Sequence, residues 1–180
     1  MFGRLARRAW RSERLPAAGA AFVLSSAGDL IVQTTAKKDE AHAGDGAVDF
    51  RRMAAQGTFS CLYASIVYVP WVHFLHKLYG PGRAVAKALT DNFFLCPVVS
   101  LPSYYAWTSI TTGADTKEAV QRFRENFGAS LVGSWCVWGP VLLATYKFVP
   151  LPYQVRAMYA GELAWASMMS HLSHRPAVHA

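Results

Sequence analysis

Long apolar stretches, separated by short polar connections, dominate the pattern of hydrophobic and polar positions along the chain. Three stretches contain no Asp, Glu, Lys or Arg: residues 53–76, 92–114 and 126–146. Two more are each interrupted by a single acid, residues 17–36 by Asp29 and residues 157–174 by Glu162. Because a helix rises 1.5 Å per residue, about 20 apolar residues cross a hydrocarbon core of about 30 Å. The pattern predicts an all-α integral membrane bundle of four to five transmembrane helices.

Two local features modify this picture. Residues 115–127 connect the third and fourth stretches, and Glu118 with Arg122 forms an i,i+4 pair there. Because Asp115 and Glu118 also resemble a capping box, we expect one short helix lying in the membrane interface; the alternative is a solvated connector. Prolines inside the apolar stretches predict kinks, which membrane helices tolerate because neighbouring groups satisfy the freed carbonyls.

A basic segment precedes the first apolar stretch. It contains one acid, Glu13, and its apolar residues are spaced for one helical face. Its arginines are Arg4, Arg7, Arg8, Arg11 and Arg14. Such a start is typical of a mitochondrial targeting segment; the alternative is a juxtamembrane helix held by anionic lipid. The expected organisation is a targeting-like segment over 1–16, which partner subunits hold in place, a transmembrane domain over 17–174 and a short tail over 175–180.

The composition favours a membrane as solvent and argues against nucleic acid as a partner. Apolar residues make up 53% of the chain and charged residues 16%, against roughly 25% charged in an ordinary soluble domain. The net charge is +7, but the basic residues lie before and between the apolar stretches and form no single patch. Cys61, Cys96 and Cys136 lie far apart inside apolar stretches, so we expect three buried thiols and no disulfide.

One face of the first apolar stretch carries small and polar residues at every fourth position. Its small residues form a predicted helix-packing face: Ala17, Ala21 and Ser25. Asp29 and Gln33 continue this face, so the acid is expected to point into the bundle. With Glu162 they form a predicted intramembrane polar seam. The alternative is that each acid only fixes helix packing or pairs with a base such as Arg156.

No pattern in the sequence indicates catalysis or a metal. Two histidine pairs are spaced one helical turn apart: His73 with His76, and His171 with His174. Further ligands are lacking, and with five spans the two pairs lie at opposite membrane faces. Lys87 and Asp91 are expected to neutralise each other as i,i+4 partners. Since phosphate loops and nucleophile elbows are also absent, we expect no enzyme, no cofactor and no metal.

A set of residues, ordered along the chain after the basic segment, carries a resemblance to a known family. These residues are Gly28, Asp29, Gln33, Asp49, Arg52, Gly57, Pro70, His73, Lys87, Asp91, Pro97, Trp135, Trp138, Val149, Pro150, Trp165 and Ser170. In order and spacing they resemble the family of the twenty-two-kilodalton peroxisomal membrane protein and its mitochondrial inner-membrane relatives. The resemblance implies a small helical bundle in a mitochondrial or peroxisomal membrane, with a proposed role in letting small solutes through.

The chain departs from the family pattern at several positions. The family's Asp-Gln, Trp-Pro and Trp-Tyr pairs correspond here to Asp91-Asn92, Trp138-Gly139-Pro140 and Leu75-His76. Its Gln and Asn after the tryptophans correspond to Leu142 and Thr145, and its Arg soon after Pro150 is displaced to Arg156. These changes remove polar groups from the fourth stretch, where a pore would need them.

Two functions from different classes follow. The first is a non-enzymatic permeation protein of the mitochondrial inner membrane, or alternatively of the peroxisomal membrane, that passes small solutes along the polar seam. The second is a structural subunit of a larger mitochondrial membrane complex, docked through aromatic and small-residue faces. The expected partners are the lipid bilayer, anionic lipid at the basic N-terminus and other membrane-protein subunits.

Overall fold

The chain folds into long helices in a computed structural model. The structure describes residues 2–39, 48–113, 115–151, 153–155, 157–158, 161–163 and 165. Its long helices are α1 (Phe2–Asp39), α2 (Phe50–Tyr79), α3 (Ala84–Thr112) and α4 (Thr116–Phe148). From residue 151 onward every described residue is helical, and we call these residues the C-terminal segment. α1 runs without a break across residue 16, so the basic segment and the first span share one helix.

The surface of this bundle is that of a protein in lipid. Within the described residues, four helical stretches are long and apolar enough to cross a membrane: Glu13–Thr34, Phe50–Tyr79, Ala84–Thr112 and Lys117–Phe148. Leu15, Ile66 and Ile110 are each more than half exposed on the outside, whereas Asp29 and Lys87 are fully buried. Such an apolar surface would drive association in water. The predicted all-α membrane bundle is therefore confirmed, while the predicted fifth span, 157–174, lies largely outside the described residues.

The predicted short interfacial helix is wrong. Residues from Thr116 onward are the first turns of α4, which continues to Phe148 as one helix. The predicted i,i+4 pair is present on it, with Arg122 Nη2 2.5 Å from Glu118 Oε1. α3 ends at Gly113, whose φ of 72° lies in the left-handed region that favours glycine. α4 then begins at Thr116, three positions after that glycine.

Two helices widen into π-helical turns beside their prolines. In α2 the π turns cover Tyr63–Tyr68 and end just before Pro70. In α3 they cover Asp91–Ser100, contain Pro97 and end just before Pro102. Proline lacks an N–H and its ring collides with the carbonyl four residues earlier. A wider turn with i→i+5 bonds relieves that collision, so these π turns accommodate the prolines without breaking the helices.

α1 packs most extensively against α2. The predicted packing face lies in this contact region, since Ala17, Ala21 and Ser25 are each at most 1% exposed. At Gly57 the helices come so close that a Cβ atom would lie 2.3 Å from Ser26 Oγ. Small side chains on both helices therefore set the short distance between them.

The apolar interior falls into two clusters. One joins all four long helices and the C-terminal segment and includes Ala21, Leu75 and Met158. The other joins α3 and α4 and is built around Leu101 and Tyr104. Residues from both clusters line one interior cavity.

The sequence predicted three buried thiols, but the three thiols lie in different environments. Cys96 is buried, Cys61 is half-buried and Cys136 is exposed. The prediction is wrong for Cys136 because α4 turns that side of the helix to the outer surface, where lipid replaces protein contacts. Cys136 is therefore apolar surface rather than core.

Candidate functional site

An interior cavity lies at the middle depth of the bundle. Ser60 lines it ten residues after the start of α2, which is about 15 Å along the helix. The cavity offers about 80 Å³ to the centres of water molecules, which is room for several waters or a small solute. The side chains that line it are Ala21 from α1; Gln56, Phe59, Ser60, Tyr63, Ala64 and Tyr68 from α2; Asp91, Asn92, Cys96, Ser100 and Tyr104 from α3; Ser134, Trp138 and Leu142 from α4; and Met158, Glu162 and Trp165 from the C-terminal segment.

The π turns of α2 and α3 supply much of the polar lining. Tyr63 and Ser100, one from each π segment, are joined by a 2.5 Å hydrogen bond between their hydroxyl groups. Asp91 and Asn92 enter the cavity at the first π turn of α3. π turns recur at functional sites in helical proteins, and here both of them face the same cavity.

The Asp91 carboxylate is held by tyrosines. Its Oδ2 atom accepts hydrogen bonds from the hydroxyls of Tyr68, at 3.3 Å, and Tyr146, at 3.0 Å. The predicted ion pair with Lys87 is wrong: the fully buried Lys87 Nζ instead lies 3.2 Å from both ring nitrogens of His76. The sequence spacing allowed the pair, but tertiary contacts with α2 and α4 turn the two side chains to different partners.

The Glu162 carboxylate is held by serines. Its Oε1 atom accepts from Ser25 Oγ at 2.5 Å and from Ser60 Oγ at 3.0 Å. Ser25 Oγ also lies 2.6 Å from Ser60 Oγ, so a compact polar cluster joins α1, α2 and the C-terminal segment. An acid at this depth is costly unless it is hydrogen-bonded or faces water. Glu162 is hydrogen-bonded and also lines the cavity.

Asp29 and Gln33 lie one and two helical turns after Ser25 in α1, and neither lines the cavity. Asp29 Oδ1 forms a 2.8 Å ion pair with Arg52 Nε, and its Oδ2 accepts from Gln33 Nε2 at 2.7 Å. Gln33 also binds both backbone groups of Asp49, which in turn caps α2 by accepting from the Arg52 backbone N–H. The structure thus divides the three residues of the seam: Glu162 lines the cavity, and Asp29 with Gln33 fastens the end of α1 to the start of α2.

A second cavity opens where α2 begins and α3 ends. We call it the vestibule, and its lining residues are Asp49, Arg51, Arg52, Ala55, Gln56, Trp107, Thr108, Thr111 and Thr112. Gln56 lines both cavities and therefore lies between them. Its Oε1 atom accepts a 2.7 Å hydrogen bond from the buried hydroxyl of Tyr104. Trp107 Nε1 donates to the Ala55 carbonyl at 2.9 Å and holds the two helices together at this level.

The tryptophans that carry the family resemblance surround the cavity. Trp138 and Trp165 line it, with their rings 6.4 Å apart in an edge-to-face arrangement. Trp135 Nε1 donates to the Asn92 carbonyl at 3.1 Å, at the first π turn of α3. A Cβ atom added at Gly161 would lie 3.1 Å from Val141. The C-terminal segment therefore packs closely against α4 beside these rings.

The remaining predicted positions lie apart from the cavity. His73 Nε2 is 3.0 Å from Glu13 Oε2, which ties α2 to α1. Gly28 is buried in α1. The Pro150 carbonyl accepts from the backbone N–H of Tyr153 as the C-terminal segment begins. The following fall outside the described residues: Arg156, Ser170, His171 and His174.

Sequence reasoning missed several cavity residues. Gln56 and Ser60 are one turn apart in an otherwise apolar stretch, a spacing that indicates a shared polar face. Tyr68 and Tyr146 gave no such signal, because their common target, Asp91, lies 23 and 55 positions away along the chain. Only the packing of α2, α3 and α4 brings the three together.

The fold and the buried polar groups define a multi-span α-helical membrane protein. The sequence profile of the Mpv17 / PMP22 family matches residues 109–170, from the last turn of α3 into the C-terminal segment. This match and the relatives below confirm the resemblance to that family found in the sequence.

Comparisons with individual proteins agree with this resemblance. The chain is 23% identical over 169 residues to the mitochondrial inner membrane protein Mpv17 of Danio rerio, covering 92% of this chain and 90% of that protein. It is 26% identical over 128 residues to protein SYM1 of Kluyveromyces lactis, covering 68% of this chain and 65% of that protein. It is 21% identical over 155 residues to PXMP2/4 family protein 2 of Dictyostelium discoideum, covering 83% of this chain and 79% of that protein.

No solved structure matches the chain. Relatives from zebrafish, Drosophila melanogaster and Bos taurus are all named as mitochondrial inner membrane protein Mpv17. The chain is a protein of the mitochondrial inner membrane, as its Arg-rich start had predicted.

Proposed function

We propose that the chain forms a path for small solutes across the mitochondrial inner membrane and performs no catalysis. The observation that carries this function is the polar cavity at mid-depth, with the acids Asp91 and Glu162 in its wall. Acids at this depth of a bilayer are costly and mark ion or solute pathways. A cavity large enough for water lets both acids remain solvated.

Polar groups continue from this cavity toward both membrane surfaces. On one side Gln56 connects it to the vestibule, whose rim carries Arg51 and Arg52. On the other side Tyr146 links Asp91 to the fully buried Lys87. Lys87 lies one turn after the start of α3, near the opposite end of the bundle. The described residues therefore offer hydrogen-bonding groups along most of the thickness of the bundle.

Proteoliposomes containing the purified chain test this function. They should leak small solutes that empty vesicles retain, and Glu162→Gln should lower the permeability of cations relative to anions because it removes a cavity charge. Glu118→Gln makes the same chemical change on the outer end of α4, where the side chain is 45% exposed, and should leave selectivity unchanged. Asp29→Asn lies outside the cavity and should affect thermal stability rather than selectivity.

A structural subunit is the second candidate function. One observation favours it: hydrogen bonds join helices on both sides of the cavity. Tyr104 binds Gln56 at the boundary with the vestibule, and His76 lies 2.7 Å from Gln154 on the other side. Vesicles that stay tight, together with migration of the chain in one large assembly on native gels, would support the structural role. The same pair of results would contradict the permeation function.

A further inference from the structure

The cavity wall contains acceptor oxygens that no described side chain or backbone group satisfies. Both serines that bind Glu162 donate to its Oε1 atom, and within the described residues Oε2 receives no hydrogen bond. Asn92 is 6% exposed and its Nδ2 donates to the Ala88 carbonyl, while its Oδ1 atom is buried without a donor in the described part of the chain. Buried acceptors without a donor are rare because each costs about 1–3 kcal/mol. The Asn92 oxygen therefore indicates a missing donor, and Glu162 Oε2 is a second acceptor in the same wall with no hydrogen bond from the described residues.

The charges that the described residues place around the cavity are also unbalanced. Asp29 is paired with Arg52. Lys87 Nζ lies 5.7 Å from the centre of the Tyr146 ring, and the Tyr146 hydroxyl donates to Asp91. Tyr146 therefore contacts both this buried base and Asp91.

Glu162 is different, because its described hydrogen-bond partners are the neutral hydroxyls of Ser25 and Ser60. Within the part of the chain that the structure describes, no base pairs with Glu162, and a ligand could balance this carboxylate. A single positive charge on the ligand is enough.

Aromatic rings make up much of the remaining wall. They belong to Phe59, Tyr63, Tyr68, Tyr104, Trp138 and Trp165. Aromatic faces attract cations, most strongly when the cation is desolvated, and several faces around one cavity are the arrangement that recognises organic ammonium groups. A hard metal ion would instead need several oxygen ligands, and groups of three or more metal-binding side chains are absent from the described residues.

We propose that this cavity binds a small primary ammonium compound, an organic cation with one positive charge and N–H donors. Its N–H groups donate to Glu162 Oε2 and Asn92 Oδ1, and its alkyl group lies against Trp138 and Trp165. A quaternary ammonium matches the rings but brings no donor for the two oxygens, and a neutral alcohol brings a donor but no charge. The site requires both properties. Binding does not require that the chain conducts, so this inference stands apart from the proposed permeation.

Calorimetric titration of the purified full-length chain in lipid nanodiscs tests the site, with NaCl holding the ionic strength constant. Ethylammonium chloride should bind saturably, and tetramethylammonium chloride should bind roughly tenfold or more weakly because it lacks N–H donors. Ethanol should show no saturable binding. Equal affinity for ethylammonium and tetramethylammonium, or no saturable binding of ethylammonium, overturns the proposal.

A variant pair locates the site. Glu162→Gln keeps the size of the side chain but removes its charge, and should weaken ethylammonium binding by about tenfold to a hundredfold. Glu118→Gln should bind like the wild type. Unchanged ethylammonium affinity in Glu162→Gln overturns the location of the site at Glu162. If that variant does not fold, the comparison of ethylammonium, tetramethylammonium and ethanol on the wild type tests the proposal. Binding without flux rejects only the permeation function, and flux without binding rejects only this site.

Discussion

Hydroxyl groups, rather than bases, hold the two acids of the cavity. Ser25 and Ser60 bind Glu162, and Tyr68 and Tyr146 bind Asp91. A hydroxyl donates and accepts, and it rotates at little cost. These contacts satisfy a carboxylate without fixing a permanent opposite charge beside it, as an arginine would. At the residue scale, the cavity therefore keeps its acids available to a solute.

Tyr104 is the residue at which we expect a local change to alter passage. Tyr104→Phe removes the 2.7 Å hydrogen bond to Gln56 at the boundary between vestibule and cavity, so the boundary should open more readily and solute flux in proteoliposomes should rise several-fold. The variant should lose about 1 kcal/mol of stability. Tyr79→Phe is the matched control, because its hydroxyl binds Thr90 at 2.9 Å outside both cavities. Equal flux in the two variants would show that Tyr104 does not control passage.

Sequence reasoning at the residue scale succeeded where partners are close along the chain. The four-residue spacing along α1 placed Asp29 and Gln33 on one helix face, and both are buried there. The same reasoning paired Lys87 with Asp91, which the structure contradicts. Arg52 and Asp49, at the start of α2, bind Asp29 and Gln33 without breaking their contact along α1. Asp91 instead meets two tyrosines from other helices. Periodicity describes one helix and carries no information about groups that packing brings in.

At the element scale, the prolines shape the site. The π turns that they accompany cover Tyr63–Tyr68 in α2 and Asp91–Ser100 in α3, and both supply lining to the cavity. The sequence predicted kinks from these prolines. It could not predict that the distortion spreads into several wide turns, since that depends on whether neighbouring helices leave room for the wider helix.

The contact between α1 and α2 gives the prediction at this scale. Gly57→Ala should lower the stability of the folded bundle by about 1–3 kcal/mol, because its Cβ would lie 2.3 Å from Ser26 Oγ and 2.9 Å from the Phe22 ring. Thermal unfolding in detergent measures the effect. Gly128→Ala is the matched control, because a Cβ there meets nothing within 4 Å, and it should be neutral or slightly stabilising. A Gly57→Ala variant as stable as the wild type would contradict the close contact.

The error at the element scale also has a physical reason. An interfacial helix over residues 115–127 was expected because the stretch is amphipathic and ends near the next apolar run. Neither proline nor glycine interrupts residues 116–127, and Asn126 Nδ2 donates to the Arg122 carbonyl within the helix. Nothing in this stretch stops helix propagation, so it joins the transmembrane part of α4.

At the scale of the whole molecule, apolar side chains lie outside and polar groups meet inside. Composition and hydropathy patterning were enough to predict that bundle, because the bilayer requires long apolar helices whatever their order. They were not enough to predict the cavity, whose lining comes from four helices and the C-terminal segment. The loss of polar groups at Leu142 and Thr145 had weakened the expectation of a pore. Gln56, Ser60 and Tyr146 supply polar groups that this reasoning had not counted.

The most direct test of the account is to fill the cavity and measure small-solute flux in proteoliposomes. Ala64 lines the cavity and is 3% exposed, so Ala64→Phe should place a ring in the path. Ala129→Phe adds the same ring to an exposed position of α4 and serves as the control. We predict that Ala64→Phe, folded as judged by size-exclusion chromatography, loses most of the flux while Ala129→Phe retains it. Undiminished flux through a folded Ala64→Phe variant would contradict the account.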